Sequence, residues 1–388
     1  MKISKANSFF LLFFLIHISK LGWLVALPNL FFYLSSLLNK ALNYKPMILI
    51  FAFIIYSVIL FLANITNISA AALLDLKPII MLGILPYFFV LSKYIKIDLK
   101  DFSKFIVLII YSYILVQLLL FQEIERQILI RGDVGVLALV SLIFFIPFNI
   151  KELKENFIWL FLIMLLFIIY QGRASILVAT IVIIYFVIFA IKNKMITKKI
   201  FPVFVIFPLI VGLIMLQLML SRASDINESW NIGVFESEAR IMALYVFYEV
   251  WQQMTFTQYL FGSGFGVDYS ESVECHFRFM CLHMQNIAIG NADTYPAVGF
   301  HNELIRIFLT TGFFGLALFL FFLSSLWRKV KPNQSFESLK NHLYLRSMII
   351  IILTSMFSHG VIGTTITGFT LLFTIAVLYR KYTELENV

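Results

Sequence analysis

Residues 300–327 read "FHNELIRIFLTTGFFGLALFLFFLSSLW". Four polar residues, His301, Asn302, Glu303 and Arg306, stand at the mouth of a run in which the next twenty-one positions carry no charge. A run of roughly 20 apolar residues in helical form crosses the roughly 30 Å hydrocarbon layer of a bilayer. The same pattern recurs along the chain. Of 388 residues, 61% are hydrophobic, 13% are charged and 43 are phenylalanine, more apolar surface than a soluble domain can cover with a polar shell. In lipid every backbone polar group must be satisfied internally, so repeated runs of this kind are helices.

Segments of this type fall near 47–63, 78–92, 104–121, 134–150, 156–170, 174–191, 200–220, 303–326, 343–360 and 361–379. Two more are expected in residues 1–38, flanking Lys20. The short basic start is followed by no small-residue cleavage site, so no cleaved leader is expected. The expected fold is an all-α polytopic transmembrane bundle of about 11–12 spans. It divides into N-terminal transmembrane helices (1–220), one large periplasmic loop domain (221–300) and C-terminal transmembrane helices (301–388).

Orientation follows from lysine and arginine between spans. With the links "KNKMITKK" (192–199) and "WRKVKPNQSFESLK" (327–340) inside, 21 of the 30 basic residues and both chain ends are cytoplasmic. The net charge of +9 is therefore a topology signal and gives no reason to expect nucleic acid. The other nine are Lys20, Lys77, Arg126, Arg131, Arg173, Arg222, Arg240, Arg278 and Arg306. Seven of these nine are arginine, against three of the 21 inside. A planar, permanently charged fork suits phosphate oxygens, so the outer face is expected to hold an anionic ligand. Snorkelling, or pairing with Glu123, Glu125 or Asp225, accounts equally well for any single arginine.

No other link exceeds about sixteen residues, so the loop at 221–300 stands apart, and loops of that length are functional or disordered. Its aromatic residues argue for order. Within it, "ESEARIMALYVFYEVWQQM" (236–254) reads as an amphipathic helix lying on the membrane surface. "LFGSGFGVDY" (260–269) breaks that helix. Its glycines follow no strand and precede no Gly-Lys-Ser/Thr, so the run reads as a flexible turn rather than a nucleotide loop.

At 100° per residue, Gly312 lies about 20° from the meridian of His301 and Gly315 about 40° to its other side. Small residues on one stripe let a neighbouring helix approach. The His301 face is therefore expected to point into the bundle, with Gly312 and Gly315 as packing residues. An ionisable side chain at membrane depth is a candidate functional group, and a neutral imidazole is the most available general base near pH 7. A hydrogen-bonded packing histidine is the competing reading. Asn302 and Arg306, one turn apart, could orient a ligand.

The order His301, Asn302, nine residues, Gly312 and Gly315 resembles the pattern that closes the large periplasmic loop of the O-antigen ligase and O-antigen polymerase superfamily. "YQGRAS" with Arg173 and "EARIMALY" with Arg240 match in the expected order. The resemblance implies an inner-membrane enzyme that moves a glycan from undecaprenyl diphosphate to an acceptor hydroxyl, with no cofactor and no metal. It gives His301 the role of general base and Arg173 and Arg240 that of holding the diphosphate. The resemblance is strongest to an O-antigen polymerase, with inversion at the anomeric carbon. The implied partners are the lipid-linked oligosaccharide, the bilayer and a polysaccharide chain-length regulator.

Cys275 and Cys281 lie five residues apart in the external loop, where an oxidising compartment favours a local disulfide over free thiols. Zinc on these cysteines with His276 and His283 would crowd four ligands into nine residues, atypical for a structural site. The chain has no Asp-x-Asp, and Glu236 with Glu238 reads as a solvated first helical turn rather than a metal pair. A flippase for lipid-linked oligosaccharides is the reading of another class. Flippases carry two related halves and short loops, and this chain shows no repeat and one long loop.

Overall fold

The computed structural model describes residues 45–63, 70–92, 97–121, 131–170, 173–197, 239–265, 302–329, 335–356 and 365–386, with isolated positions among 199–217 and residue 267. Among them the chain is helical and contains no strand. The helices are α1 (Lys45–Ala63), α2 (Ala70–Leu82), α3 (Ile84–Leu91), α4 (Leu99–Phe121), α5 (Arg131–Phe145), α6 (Ile150–Tyr170), α7 (Arg173–Lys192), α8 (Ala239–Gln253), α9 (Phe256–Phe261), α10 (Glu303–Lys329), α11 (Phe336–Met356) and α12 (Thr365–Glu386).

α1 and α10 are long and apolar enough to cross a membrane. Val134–Phe145 and Leu177–Lys192 are shorter apolar stretches of the same kind. On α7 the side chains of Leu177, Ile181, Ile184, Ile188 and Ile191 are exposed, a spacing that puts them on one helix face. A bundle in water would bury such a stripe.

Phenylalanine fills the interior. Phe88 of α3 meets Phe369 and Phe373 of α12 edge-on at 5.2 Å each, and Phe373 also packs on Phe102 of α4 at 5.3 Å. These tilted and perpendicular pairs bring the positive ring edge onto a negative face, which adds about 0.5–1.5 kcal/mol each beyond their burial. α10 packs along α1, with Phe319 against Phe53 at 5.8 Å. α10 turns back into α11, where the Arg346 guanidinium lies 4.5 Å from the centre of the Trp327 ring.

Two expected continuous segments are interrupted. The span expected at 78–92 is two helices separated by a turn at Gly83, whose N–H donates to Ile80 O at 2.9 Å. The first of them starts eight residues earlier, at Ala70, and carries Pro78 and Asp75. The second interruption is in α10, where Gly312 takes φ 67° and ψ −168°. The helical wheel that carried Gly312 and Gly315 round from His301 therefore does not hold through residue 312. A 100° step applies only while the backbone stays helical, and glycine, compatible with both states, carries no mark of the break.

Candidate functional site

Asn302 opens α10 as its N-cap. Its Oδ1 accepts from the N–H groups of Leu304 and Ile305, both at 3.1 Å, and its carbonyl accepts from Arg306 N–H at 3.1 Å. The free N–H groups of a first turn require such an acceptor, and asparagine is among the best. Glu303, in the first turn, is only 2% exposed, and its charge suits the positive end of the helix.

One turn on, Arg306 reaches across to Asp75 of α2. Its Nε donates to Asp75 Oδ1 at 2.6 Å, and its Nη2 pairs with the same oxygen. The Asp75 side chain is 8% exposed and that of Arg306 34%. A carboxylate so buried is stable only with a cation and hydrogen bonds at hand, which the guanidinium supplies. Arg306 thus has a built counter-ion, and none of the acids weighed from the sequence provides it. The available signal was one aspartate inside "AAALLDLKPII" (70–80), an acid in an otherwise apolar helix.

At the break in α10 a second chain segment crosses it. α9 is held at its start by a capping box between Thr255 and Gln258 and ends at Gly262, φ 84°. Ser263 N–H then donates to Leu309 O at 2.7 Å, and Tyr56 Oη of α1 donates to Thr311 O at 2.9 Å. Those are carbonyls left over where the helical ladder stops, and Thr310 and Thr311 hydroxyls bond back to Arg306 O and Ile307 O at 2.8 and 2.6 Å. A Cβ on Gly262 would strike the backbone of Thr310, and one on Gly312 would strike the backbone of Leu260 and Gly262. The run 262–264 is therefore a backbone crossing point rather than a flexible turn. A Cβ on Gly315 would meet the Thr311 side chain and, at 3.2 Å, Tyr56 Cε1.

α8 leans on the same end, with Phe247 edge-on to Phe308 at 5.8 Å. Its Leu244, Tyr248 and Trp251 are exposed along one face, and Tyr259 donates to Trp251 O at 2.8 Å. Exposed aromatic residues such as Tyr248 and Trp251, beside the start of a helix able to cross a membrane, suit the headgroup level of a bilayer.

The expected site residues are partly assembled. Asn302, Arg306, Gly312 and Gly315 lie on α10. Arg173 is the first residue of α7 and Arg240 the second of α8, by backbone position. α7 meets α11 through Phe189 on His342 and Phe186 on Tyr344, a reversed order that makes the two antiparallel. α10 and α11 are joined by a short link and packed together through Trp327 and Arg346, so α7 runs the same way as α10. Arg173 thus starts its helix toward the end of the bundle from which α10 starts. His301, Cys275 and Cys281 lie outside the described residues.

A helical chain with two helices able to cross a membrane, a capped helix mouth and a buried ion pair beside it is the class that fold and site define. Residues 157–320 match the family model described as O-Antigen ligase, which supports the resemblance to the O-antigen ligase and polymerase superfamily. That family consists of membrane proteins with glycosyltransferase-like activity. Its members have ligase- or polymerase-type functions in surface-polysaccharide biosynthesis and act on lipid-linked saccharide substrates. No curated protein matches the chain.

Proposed function

We propose that the protein is a multi-pass inner-membrane glycosyltransferase that polymerises undecaprenyl-diphosphate-linked repeat units into O-antigen or a related polysaccharide on the periplasmic face. The match over residues 157–320 carries this reading. In the proposed step the acceptor hydroxyl oxygen attacks the anomeric carbon, and the bond from that carbon to the phosphate oxygen breaks. The lipid diphosphate leaves with the electron pair, and His301 takes the hydroxyl proton. A single displacement of this kind inverts the anomeric centre and needs no metal.

The N-terminus of α10, capped by Asn302, favours negative charge and so supports binding of the donor's diphosphate near this mouth. Arg173 and Arg240 are proposed to hold the diphosphate and stabilise charge developing on the leaving group. Arg306, already neutralised by Asp75, is assigned to holding the mouth of α10 in place. The exposed apolar faces of α7 and α8 support multi-pass membrane embedding, and the lysine and arginine distribution supports the orientation.

An O-antigen ligase, with a lipid A core sugar as acceptor, is the second reading, favoured by the description of the matching family. The glycine run at 262–266 does not separate polymerase from ligase, since Gly262 is explained by its crossing with α10. Deleting the gene and resolving surface lipopolysaccharide on a gel separates the readings. Core bearing one repeat unit indicates a polymerase, and bare core with polymer accumulated on the carrier indicates a ligase. Loss of all outer-face intermediates indicates a flippase and overturns both.

A further inference from the structure

At the end of the bundle opposite Asn302, the starts of α4, α6 and α11 and the ends of α5 and α12 enclose a half-open cavity of about 590 Å³. That volume falls within the range of small-molecule sites. The lysine and arginine distribution puts this end in the cytoplasm, and no part of the proposed transfer takes place there.

Six charged side chains line it: Asp98, Lys100, Glu152, Glu337, Lys340 and Lys381. Three are cationic and three anionic, yet among the described residues no ion pair joins any two of them. Asp98 Oδ1 is taken by the backbone N–H groups of Lys100 and Asp101, at 2.8 and 3.4 Å, and Glu152 Oε2 by that of Phe148 at 2.9 Å. The Lys340 ammonium sits over the Phe148 and Tyr344 rings, 5.7 and 5.9 Å from their centres. Opposite charges are thus held apart across a shared space instead of collapsing onto one another.

Two buried amides line the same cavity. Asn341 is 6% exposed, and its side chain makes no hydrogen bond among the described residues. Asn156 is 3% exposed; its Nδ2 donates to Phe145 O at 3.0 Å, and its Oδ1 has no partner. Asn341, whose side-chain amide has no protein partner among the described residues, is therefore open to a polar molecule that completes its bonding.

We propose that this cavity binds a zwitterionic phosphoester, a phosphate joined by a short linker to an ammonium, as in phosphoethanolamine. A simple anion would meet three carboxylates and a simple cation three lysines, whereas a molecule carrying both charges can face each set. The phosphate is taken by the lysines and the Asn341 amide, and the ammonium by Glu337 and its neighbouring carboxylates. The ligand is either the headgroup of a lipid in the adjoining leaflet or a soluble phosphoester of the same chemistry.

The test uses the full chain purified in a maltoside detergent, which carries neither group, and measures calorimetric binding of O-phosphoethanolamine, inorganic phosphate and ethanolamine. The proposal expects saturable binding of O-phosphoethanolamine, at least about tenfold tighter than either fragment. It also expects about a tenfold loss in Asn341→Leu and in Lys340→Gln, each checked for an unchanged melting profile. If Asn341→Leu fails to fold, Lys381→Ala, at the half-exposed rim, replaces it. Phosphatidylethanolamine retained over phosphatidylglycerol by the wild type, and lost in Lys340→Gln, assigns a lipid source. Binding of the soluble phosphoester without lipid retention assigns a soluble one. Equal affinity for inorganic phosphate, no binding of any probe, or variants that bind like the wild type would overturn the proposal.

Discussion

Gly262 and Gly312 meet backbone to backbone: the position a Cβ would take on Gly312 is occupied by Leu260 and Gly262, and both glycines have φ above 60°. The crossing ties the segment after α9 to the break in α10, through Ser263 N–H on Leu309 O. Gly312→Ala therefore suffers both a left-handed backbone and an overlap that no side-chain rotation relieves. The expected cost is about 2–4 kcal/mol, seen as a lowered melting temperature in detergent. A Gly312→Ala variant as stable as the wild type would mean that α10 is continuous at that point.

Asp75 and Arg306 form a pair with one partner nearly buried and the other a third exposed. Removing either leaves the other charge uncompensated, but solvent at Arg306 screens part of the loss, so Asp75→Ala should cost about 1–3 kcal/mol. In a double-mutant cycle with Arg306→Ala, measured by denaturant unfolding, the second substitution should cost much less once the first is made. Additive effects would show that the pair does not interact in the folded protein.

Asn302 separates a capping role from a ligand-binding one. Asn302→Ala should lose about 1 kcal/mol of stability, while Asn302→Asp and Asn302→Ser keep an acceptor for the first-turn N–H groups and lose little. If transfer activity follows stability across the three variants, the side chain acts through α10. Loss of activity in the stable Asp and Ser variants would place the amide against substrate instead.

The proposed chemistry predicts that His301→Ala lowers transfer by on the order of a hundredfold to ten-thousandfold. Arg173→Lys and Arg240→Lys should be impaired as well, because lysine keeps the charge and loses the forked bonds to phosphate. The measurement is polymer length formed from lipid-linked repeat units by purified variants at matched expression, with and without chelator. Near-normal product from His301→Ala would remove the general base. Loss with chelator, restored by magnesium or manganese, would require a metal.

Reporter fusions after Asn193 and Asn333 are expected to act as cytoplasmic, and one after Asp268 as periplasmic. Periplasmic activity at Asn333 would reverse the chain and move the proposed transfer to the other face.

Hydrophobicity alone gave the all-helical class, since "LALFLFFLSSLW" cannot be water-facing, and the positions of α1, α4, α7 and α10 follow from run length. That Asn302 stands at the mouth of an apolar helix was legible too, whereas its capping role is seen only in the structure, although asparagine before an apolar run is a cap signal. What the sequence could not express was pairing between distant segments. Asp75 lies 231 positions before Arg306, and neither residue type names its partner. Glycine marks a place where the backbone is free but does not say whether that freedom is used. Gly312 is compatible with a straight helix, and only the Leu260–Ser263 segment crossing it, with Tyr56 and Ser263 bonding the carbonyls released there, makes the break. Local apolar pattern sets which residues must leave water, whereas the tertiary packing of α1, α2 and α9 on α10 decides which polar groups they bring with them.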